Sequence, residues 1–371
     1  MTLLVVDPGV KLWGSERSLL ATLDALAHTH GKLVLLVPTD AEMIARVTNP
    51  AIAIIHFDFG FLNRSTRLKR AWFMLTLGRI CIKNSIDKLY LNQAGLSRLV
   101  APVTRLLNIE LFNHVRLSED VPRAGALRGR KKSPVTLIFN SYAMRNLCPG
   151  SDQFARYTRR IAVYNHYKLD PIFANTALTP KVSDTFLCAG RLEKRKGQEN
   201  LIRAVSILRS RKKDFPVVLV GVDTCGGRYE AELRELTVDY GVADLVDFRG
   251  YSHAIKTEFA KARFAPIPSH YEPLGRVVLE AWDCGAVPIV SASSGGAAEI
   301  VAAAGGGLLY EPDTVESLAN AMERAVAMNE SDRLAMVARG RYWISEMLSI
   351  ESYTARLSDS LFNPISHLGR R

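Results

Sequence analysis

Glu272 and Glu280 stand eight positions apart in the stretch SHYEPLGRVVLEAWDCGAVPIVSASSGGAAEIV. Glu272 lies in a short polar turn that ends the apolar run FAPIPS, and a helix pattern then brings Glu280 onto its inner side. A carboxylate in such a place accepts two hydrogen bonds from neighbouring hydroxyls, which suits a hydroxyl-rich ligand. Gly295 and Gly296 follow a second apolar run, VPIVSAS. A glycine pair lets backbone N–H groups come close to a phosphate. Upstream, GRLEKRKG sets Arg191 and Lys196 just past a strand pattern, where open α/β sheets bind ligands. Arginine offers a planar fork and lysine a compact charge. Taken alone, these cations also read as a solvated basic loop, and Glu272 as an acid that stabilises a helix start. Glu280 sits among apolar residues, so its carboxylate needs a partner.

Short apolar strands alternating with helical periods must position these groups. In the first half LLVVD, KLVLLVP, AIAIIHF, KLYLNQ, ELFNHVR and VTLIFNS read as strands. Helical periods fall at SERSLLATLDALAHT, RLKRAWFMLTLGRICIKN and LSRLVAPVTRLL. The second half starts afresh at TFLCAGRL, with a helix at QENLIRAVSILRSR and strands at PVVLVG, LVDFRG, RFAPIP and AVPIVS. Such alternation predicts parallel sheets covered by helices on both faces. The join is expected in Tyr164–Lys181, where Pro171 and Pro180 flank a weakly patterned stretch. The expected domains are therefore 1–170 and 171–342. The last amphipathic pattern, ARGRYWISEMLSIESYTARLSDSLF, reads either as a terminal helix of the second domain or as a segment, 343–371, that packs back on the first.

Composition bounds the rest. The chain has 371 residues, 48% of them hydrophobic and 23% charged, enough for two ordered domains. Its five cysteines, Cys81, Cys148, Cys188, Cys225 and Cys284, form no CxxC pair. That points to a reducing compartment and away from a disulfide frame or structural zinc. No secretory signal is visible before Asp7-Pro8, and no apolar run approaches the ~20 residues that span a bilayer. The formal charge is +11 and uneven: through Asp170 there are 24 Lys/Arg against 12 Asp/Glu, and beyond it 24 against 25. A basic first half implies an anionic partner. The segment RSTRLKRAWFMLTLGRICIK mixes cations with Trp72, Phe73 and Met74, which suits either an anionic membrane or a core helix with a solvated basic end. The basic run ALRGRKKSP reads as an exposed loop. No DxD motif or metal-spaced His/Asp cluster occurs, and no helix-turn-helix, RNP or zinc pattern supports nucleic-acid binding.

The second-half motifs resemble the donor site of glycosyltransferase family 4, a retaining GT-B family of nucleotide-sugar glycosyltransferases. The family carries a Glu, seven intervening residues and a second Glu, then a Gly-Gly turn and a further Glu, here Glu272, Glu280, Gly295, Gly296 and Glu299. GRLEKRKG matches its Gly-Arg-Leu and Lys-Gly element through Gly190, Arg191 and Lys196. The resemblance is close over 184–320 and loose over the first 170 residues. It implies an α/β, GT-B fold: two Rossmann-like domains facing across a cleft, with the C-terminal helix crossing back to the first.

The resemblance also implies roles. Arg191 and Lys196 would meet the donor diphosphate and Glu280 the ribose. Glu272 would touch the transferred sugar, on a donor-binding turn that continues through Pro273, Leu274 and Gly275. KLWGSERSL resembles the family's glycine turn, so Gly14 and Ser15 would add donor contacts, and His114 would face the sugar. The implied catalytic set is Glu272, His114, Arg191 and Lys196. The family retains anomeric configuration with the leaving phosphate assisting the acceptor, so neither a glycosidase-type carboxylate pair nor a metal is implied. The expected donor is a UDP- or GDP-sugar and the expected acceptor a glycan or lipid-linked species of bacterial surface polysaccharide synthesis. The expected location is cytoplasmic, peripheral on the inner face of the cytoplasmic membrane where an anionic surface is the further partner. The alternatives are an epimerase or phosphorylase of the same fold, and a non-catalytic basic scaffold that binds nucleic acid.

Overall fold

The first strand, TLLVV, is buried at every position, as a strand covered on both faces requires. The computed structural model describes residues 1–12, 14–60, 67–148, 157–181, 184–224, 226–312 and 314–362. Cys225, residues 64–66 of the basic segment and 363–371 of the segment 343–371 lie outside the described residues. The chain divides into two units, Met1–His166 with Ile350–Arg371, and Tyr167–Ser349.

In the first unit β1 (Thr2–Val6), β2 (Lys32–Val37), β3 (Ile52–His56), β4 (Lys88–Leu91), β5 (Glu110–Val115), β6 (Val135–Phe139) and β7 (Thr158–Ala162) form one sheet in the order β3-β2-β1-β4-β5-β6-β7. Every pairing is parallel. Period-two alternation splits the strand side chains between two cores. Leu4, Val6, Leu89 and Leu91 meet Phe73 and Leu77 of helix Arg67–Lys83. Leu3, Val5, Leu33 and Leu35 meet Leu19 and Leu23 of helix Gly14–His30, together with Tyr353, Leu357 and Leu361 of helix Ile350–Phe362. The strand order reverses between β1 and β4, which opens a crevice at their carboxyl ends.

The second unit repeats the plan. β8 (Phe186–Ala189), β9 (Val217–Val220), β10 (Val246–Phe248), β11 (Phe264–Ile267), β12 (Val287–Ser291) and β13 (Leu308–Tyr310) run parallel in the order β10-β9-β8-β11-β12-β13. Its order reverses between β8 and β11. Trp282, on helix Arg276–Asp283, fills the core beneath and donates from Nε1 to the Gly306 carbonyl at 2.7 Å.

The observed division corrects the expected boundary at 170. Tyr167 already belongs with the second unit: its N–H donates to the Leu348 carbonyl at 2.9 Å and its hydroxyl to Asp283 at 3.0 Å. The return likewise falls at Ile350 and not at 343. The terminal pattern is two helices, Glu330–Met347 in the second unit and Ile350–Phe362 in the first. Arg341, whose guanidinium donates to the Asp283 carbonyl, keeps the first of them with the second unit.

Candidate active site

The Gly-Arg-Leu element begins where β8 ends. Gly190 and Gly221 adopt positive φ values, and a Cβ at Gly221 would fall 1.8 Å from the Gly190 carbonyl oxygen. Glycine at that position therefore lets the ends of β8 and β9 close on one another. Past them the chain makes a single 3-10 turn, Lys194–Lys196, and turns into helix Gln198–Ser210 through Gly197. Gly197 has φ 69° and lies so near the Pro268 carbonyl that a Cβ would meet it at 2.2 Å. This contact seats the loop after β8 on the loop after β11, and His270 N–H donates across it to the Arg195 carbonyl at 2.9 Å.

Glu272 arrives on that second loop. Its N–H donates to the Ser294 carbonyl at 3.2 Å and its carbonyl accepts from Gly296 N–H at 2.8 Å. The Gly295–Gly296 turn is thus a clamp on the Glu272 backbone. Its glycines are needed: a Cβ at Gly295 would strike the Tyr271 ring at 2.3 Å, and one at Gly296 the Pro273 carbonyl at 2.3 Å. The Glu272 side chain is 7% exposed as a residue and accepts from Lys196 Nζ at 2.5 Å. The Lys196 stem passes over Gly190, with its Cδ 3.9 Å from where a Gly190 Cβ would be.

Leu274 and Gly275 complete the turn, and Gly275, with φ 85°, opens helix Arg276–Asp283. The first N–H groups of a helix have no intrahelical partners and favour an anion. One turn on, Glu280 accepts from Arg276 Nε at 3.0 Å. Burial raises the Glu280 carboxyl above its usual range, and Arg276 pulls it back down. A cavity of about 280 Å³ brings Gly190, Arg191, Val220, Gly221, Tyr251 and Glu280 together. Arg191 itself reaches Glu193 at 3.4 Å and remains half exposed. The second unit therefore gathers the sequence-nominated Gly190, Arg191, Lys196, Glu272, Pro273, Leu274, Gly275 and Glu280 around one switch point. Among the described residues no group of three or more His, Cys, Asp or Glu is arranged to hold a metal ion.

The other nominated residues belong to the first unit. Gly14 starts its helix, and a Cβ there would find nothing within 4 Å. Ser15 Oγ donates to Glu16 Oε1 at 2.8 Å. His114, expected to face the sugar, is fully buried in the first unit, 0% exposed. Its Nδ1 lies 2.6 Å from the Tyr90 hydroxyl and its Nε2 2.9 Å from Asn140 Oδ1. Burial first, then the Arg116 charge, holds the imidazole well below its usual range and so neutral. Such a ring donates from one nitrogen and accepts at the other, as these two partners require.

Sequence reasoning missed the polar groups that fill the first unit's crevice. Asp7, at the end of β1, accepts from Asn92 Nδ2 at 2.8 Å and Gly9 N–H at 2.9 Å. Arg116 donates to Asn92 and, at 2.9 Å, to Asn165. Glu16 accepts from Gln93 at 2.7 Å. A carboxylate directly after a fully apolar strand was the available signal for Asp7. In the second unit Tyr251 was missed, an exposed aromatic just past β10 whose signal was the run DFRGY.

Comparison with known proteins bears on this geometry. Residues 174–343 match the family described as Glycosyl transferases group 1. The chain is 36% identical over 187 residues to the GDP-mannose-dependent alpha-(1-6)-phosphatidylinositol monomannoside mannosyltransferase of Mycobacterium tuberculosis, a match covering 48% of this chain and 47% of that protein. It is 30% identical over 197 residues to the lipopolysaccharide core biosynthesis glycosyltransferase LpsE of Rhizobium meliloti, covering 53% of each. The matches thus span about half the length of these relatives. Anabaena HepE, solved in complex with UDP, superposes over 98% of this chain and 100% of its own with a TM-score of 0.72 at 19% identity. The fold is therefore of the GT-B type, two Rossmann-like units, and nearly the whole of the second unit matches Glycosyl transferases group 1.

Proposed function

We propose that the chain is a retaining hexosyltransferase that moves a sugar from a nucleotide-sugar donor to a glycan or lipid-linked acceptor. The observation that carries this reading is that Lys196, whose stem passes over Gly190, pairs with Glu272 across the loops after β8 and β11, while Gly190, Arg191 and Glu280 line one cavity. In this reading the nucleoside enters the cavity lined by Gly190, Val220 and Tyr251, and the ribose hydroxyls meet Glu280. The diphosphate lies beside Lys196, Arg191 and the start of helix Arg276–Asp283. Negative charge grows on the β-phosphate as the glycosidic C–O bond breaks, and fixed cations and N–H dipoles lower that barrier. Glu272 holds the sugar hydroxyls. The acceptor hydroxyl attacks on the face the phosphate leaves, and the departing phosphate oxygen takes its proton. No metal takes part. The first, basic unit binds the acceptor, and His114 orders the end of β5 from within, as a positioning residue.

The relatives support a UDP- or GDP-sugar: one is named GDP-mannose-dependent, and HepE was solved with UDP. Their names also support a place in bacterial surface glycolipid or polysaccharide synthesis. A thermal-shift screen of UDP, GDP, ADP and their sugars tests the donor, because a ligand of the folded state alone raises apparent stability. A shift of several degrees with one nucleotide, unchanged by EDTA, is expected. Absence of any shift at millimolar nucleotide would remove the donor site. An altered sugar made without acceptor would make the protein an epimerase.

A further inference from the structure

Helix Arg67–Lys83 is apolar on two faces. Phe73, Leu77 and Cys81, one turn apart, are buried in the first unit's core. On the opposite side Leu68, Trp72, Leu75 and Ile82 are 81%, 52%, 63% and 68% exposed. Spacings of three, four and seven residues put these four on one stripe. The outer face of a soluble surface helix is normally polar, so a stripe of this size marks an interaction site. Five cations surround it, Arg67, Lys69, Arg70, Arg79 and Lys83, and the helix holds no Asp or Glu. Three of the five stand at the helix start, where positive charge opposes the macrodipole.

The surface continues onto neighbouring elements. Helix Ser97–Leu106 packs beside this one, with Val103 against Gly78. It ends on the exposed Leu106. Arg105 then donates to the Arg128 carbonyl at 2.8 Å, next to a tight hairpin bridged from Arg130 to Ser133. The hairpin tip presents Lys131 and Lys132 to solvent.

We propose that this surface, centred on Leu68, Trp72, Leu75 and Ile82, docks the first unit on an anionic phospholipid bilayer. Leucine and isoleucine enter the boundary between headgroups and acyl chains, the Trp72 ring sits at headgroup level, and the flanking cations meet lipid phosphates. The charge pattern selects this occupant. A second copy would set the same cations against themselves, and like charges facing each other oppose association. No helix among the described residues is long and apolar enough to cross a membrane, so the contact is interfacial. The surface is independent of the donor site and stands or falls without it.

Co-sedimentation of the full chain with vesicles tests it. Binding to phosphatidylcholine vesicles containing phosphatidylglycerol is expected, weakened by salt, with little binding to phosphatidylcholine alone. Leu68→Glu with Leu75→Glu should weaken it about 100-fold, since two leucines no longer enter the apolar boundary. Arg67→Gln, Lys69→Gln and Arg70→Gln together should also weaken it about 100-fold at low salt, each cation contributing roughly a factor of five. All five positions are exposed, so unchanged melting temperatures confirm that both variants fold. The proposal is overturned if the wild type ignores anionic lipid, or if neither variant alters binding. It is equally overturned if the leucine variant abolishes self-association or capture of an acidic protein while lipid binding stays as it was. Nucleotide thermal shifts read the second unit and are expected to be unchanged in both variants, so loss of lipid binding does not bear on the donor.

Discussion

Lys196 and Glu272, joined at 2.5 Å, tie the group proposed to meet phosphate to the group proposed to meet sugar. Replacing Glu272 with Gln keeps the shape and removes the charge. Turnover should fall about 100-fold with donor KM little changed, the loss seen when one oriented polar contact to a transition state is removed. Glu280→Ala should instead raise donor KM by about 10- to 100-fold, because a charged acceptor of ribose hydrogen bonds contributes about 1.5–3 kcal/mol. Steady-state kinetics separates the two, and wild-type constants for both would refute the site. Arg191, Lys196, Glu272 and Glu280 were legible because each belongs to a motif with internal spacing. Asp7 was not: its partners Asn92 and Gln93 come from the end of another strand, and no local pattern announces them. Asp7 carries its own test. Burial, with Glu16 adding to it, raises its carboxyl from 3.8 to about 6. The folded state holds this proton longer than the unfolded chain does. The stability so gained is full below about pH 4 and is lost as pH rises through about 6, a fall of about 3 kcal/mol. Melting temperature followed between those values should therefore slope downward more steeply in wild type than in Asp7→Ala; equal slopes would mean Asp7 titrates normally.

Glycines at the element ends make contrary demands, and substitution distinguishes them. Gly275 combines φ 85° with a Cβ position 2.6 Å from the Ala297 Cβ. Gly275→Ala must adopt a left-handed conformation and push one helix start off another, at a cost of about 2–4 kcal/mol. Calorimetry should show a lower melting temperature, with donor affinity reduced because Leu274 and Glu272 move with the turn. Gly14, by contrast, would place a Cβ in open space. Gly14→Ala should leave the melting temperature unchanged, so any loss of turnover there comes from a ligand and not from the fold; an equal drop in both would deny Gly14 a donor role. The same elements show what the sequence could convey. Strands buried on both faces, such as LLVVD and AVPIVS, were readable from their unbroken apolar runs. β7 was missed because Thr158–Ala162 reads TRRIA, half-buried and with two arginines. β13 was missed because three residues carry no periodicity. The break at 348–349 in the terminal pattern was hidden as well, since amphipathic spacing continues through it.

At the scale of the whole chain, the repeat of one architecture was legible in the alternation of strands and helices, and the charge asymmetry was legible by counting. What neither could give was the division after His166, which depends on Tyr167 bonding to Asp283 and Leu348, residues more than a hundred positions away. Two units with separate cores respond separately to a ligand held by one of them. All of the proposed nucleoside, phosphate and sugar contacts of Arg191, Lys196, Glu272 and Glu280 lie within 167–349. Binding stabilises the folded state that binds, by about 2.7 kcal/mol when free ligand is at a hundred times its Kd. Hydrogen exchange with saturating nucleotide should therefore slow at 189–197, 220–222, 251–255 and 272–280. In β1 through β6, amides whose exchange requires opening of the first unit's own core should change little, because the ligand adds nothing to the stability of that core. Protection centred on the first unit, with 189–197 and 272–280 unaffected, would relocate the donor and leave Lys196–Glu272 as a structural ion pair.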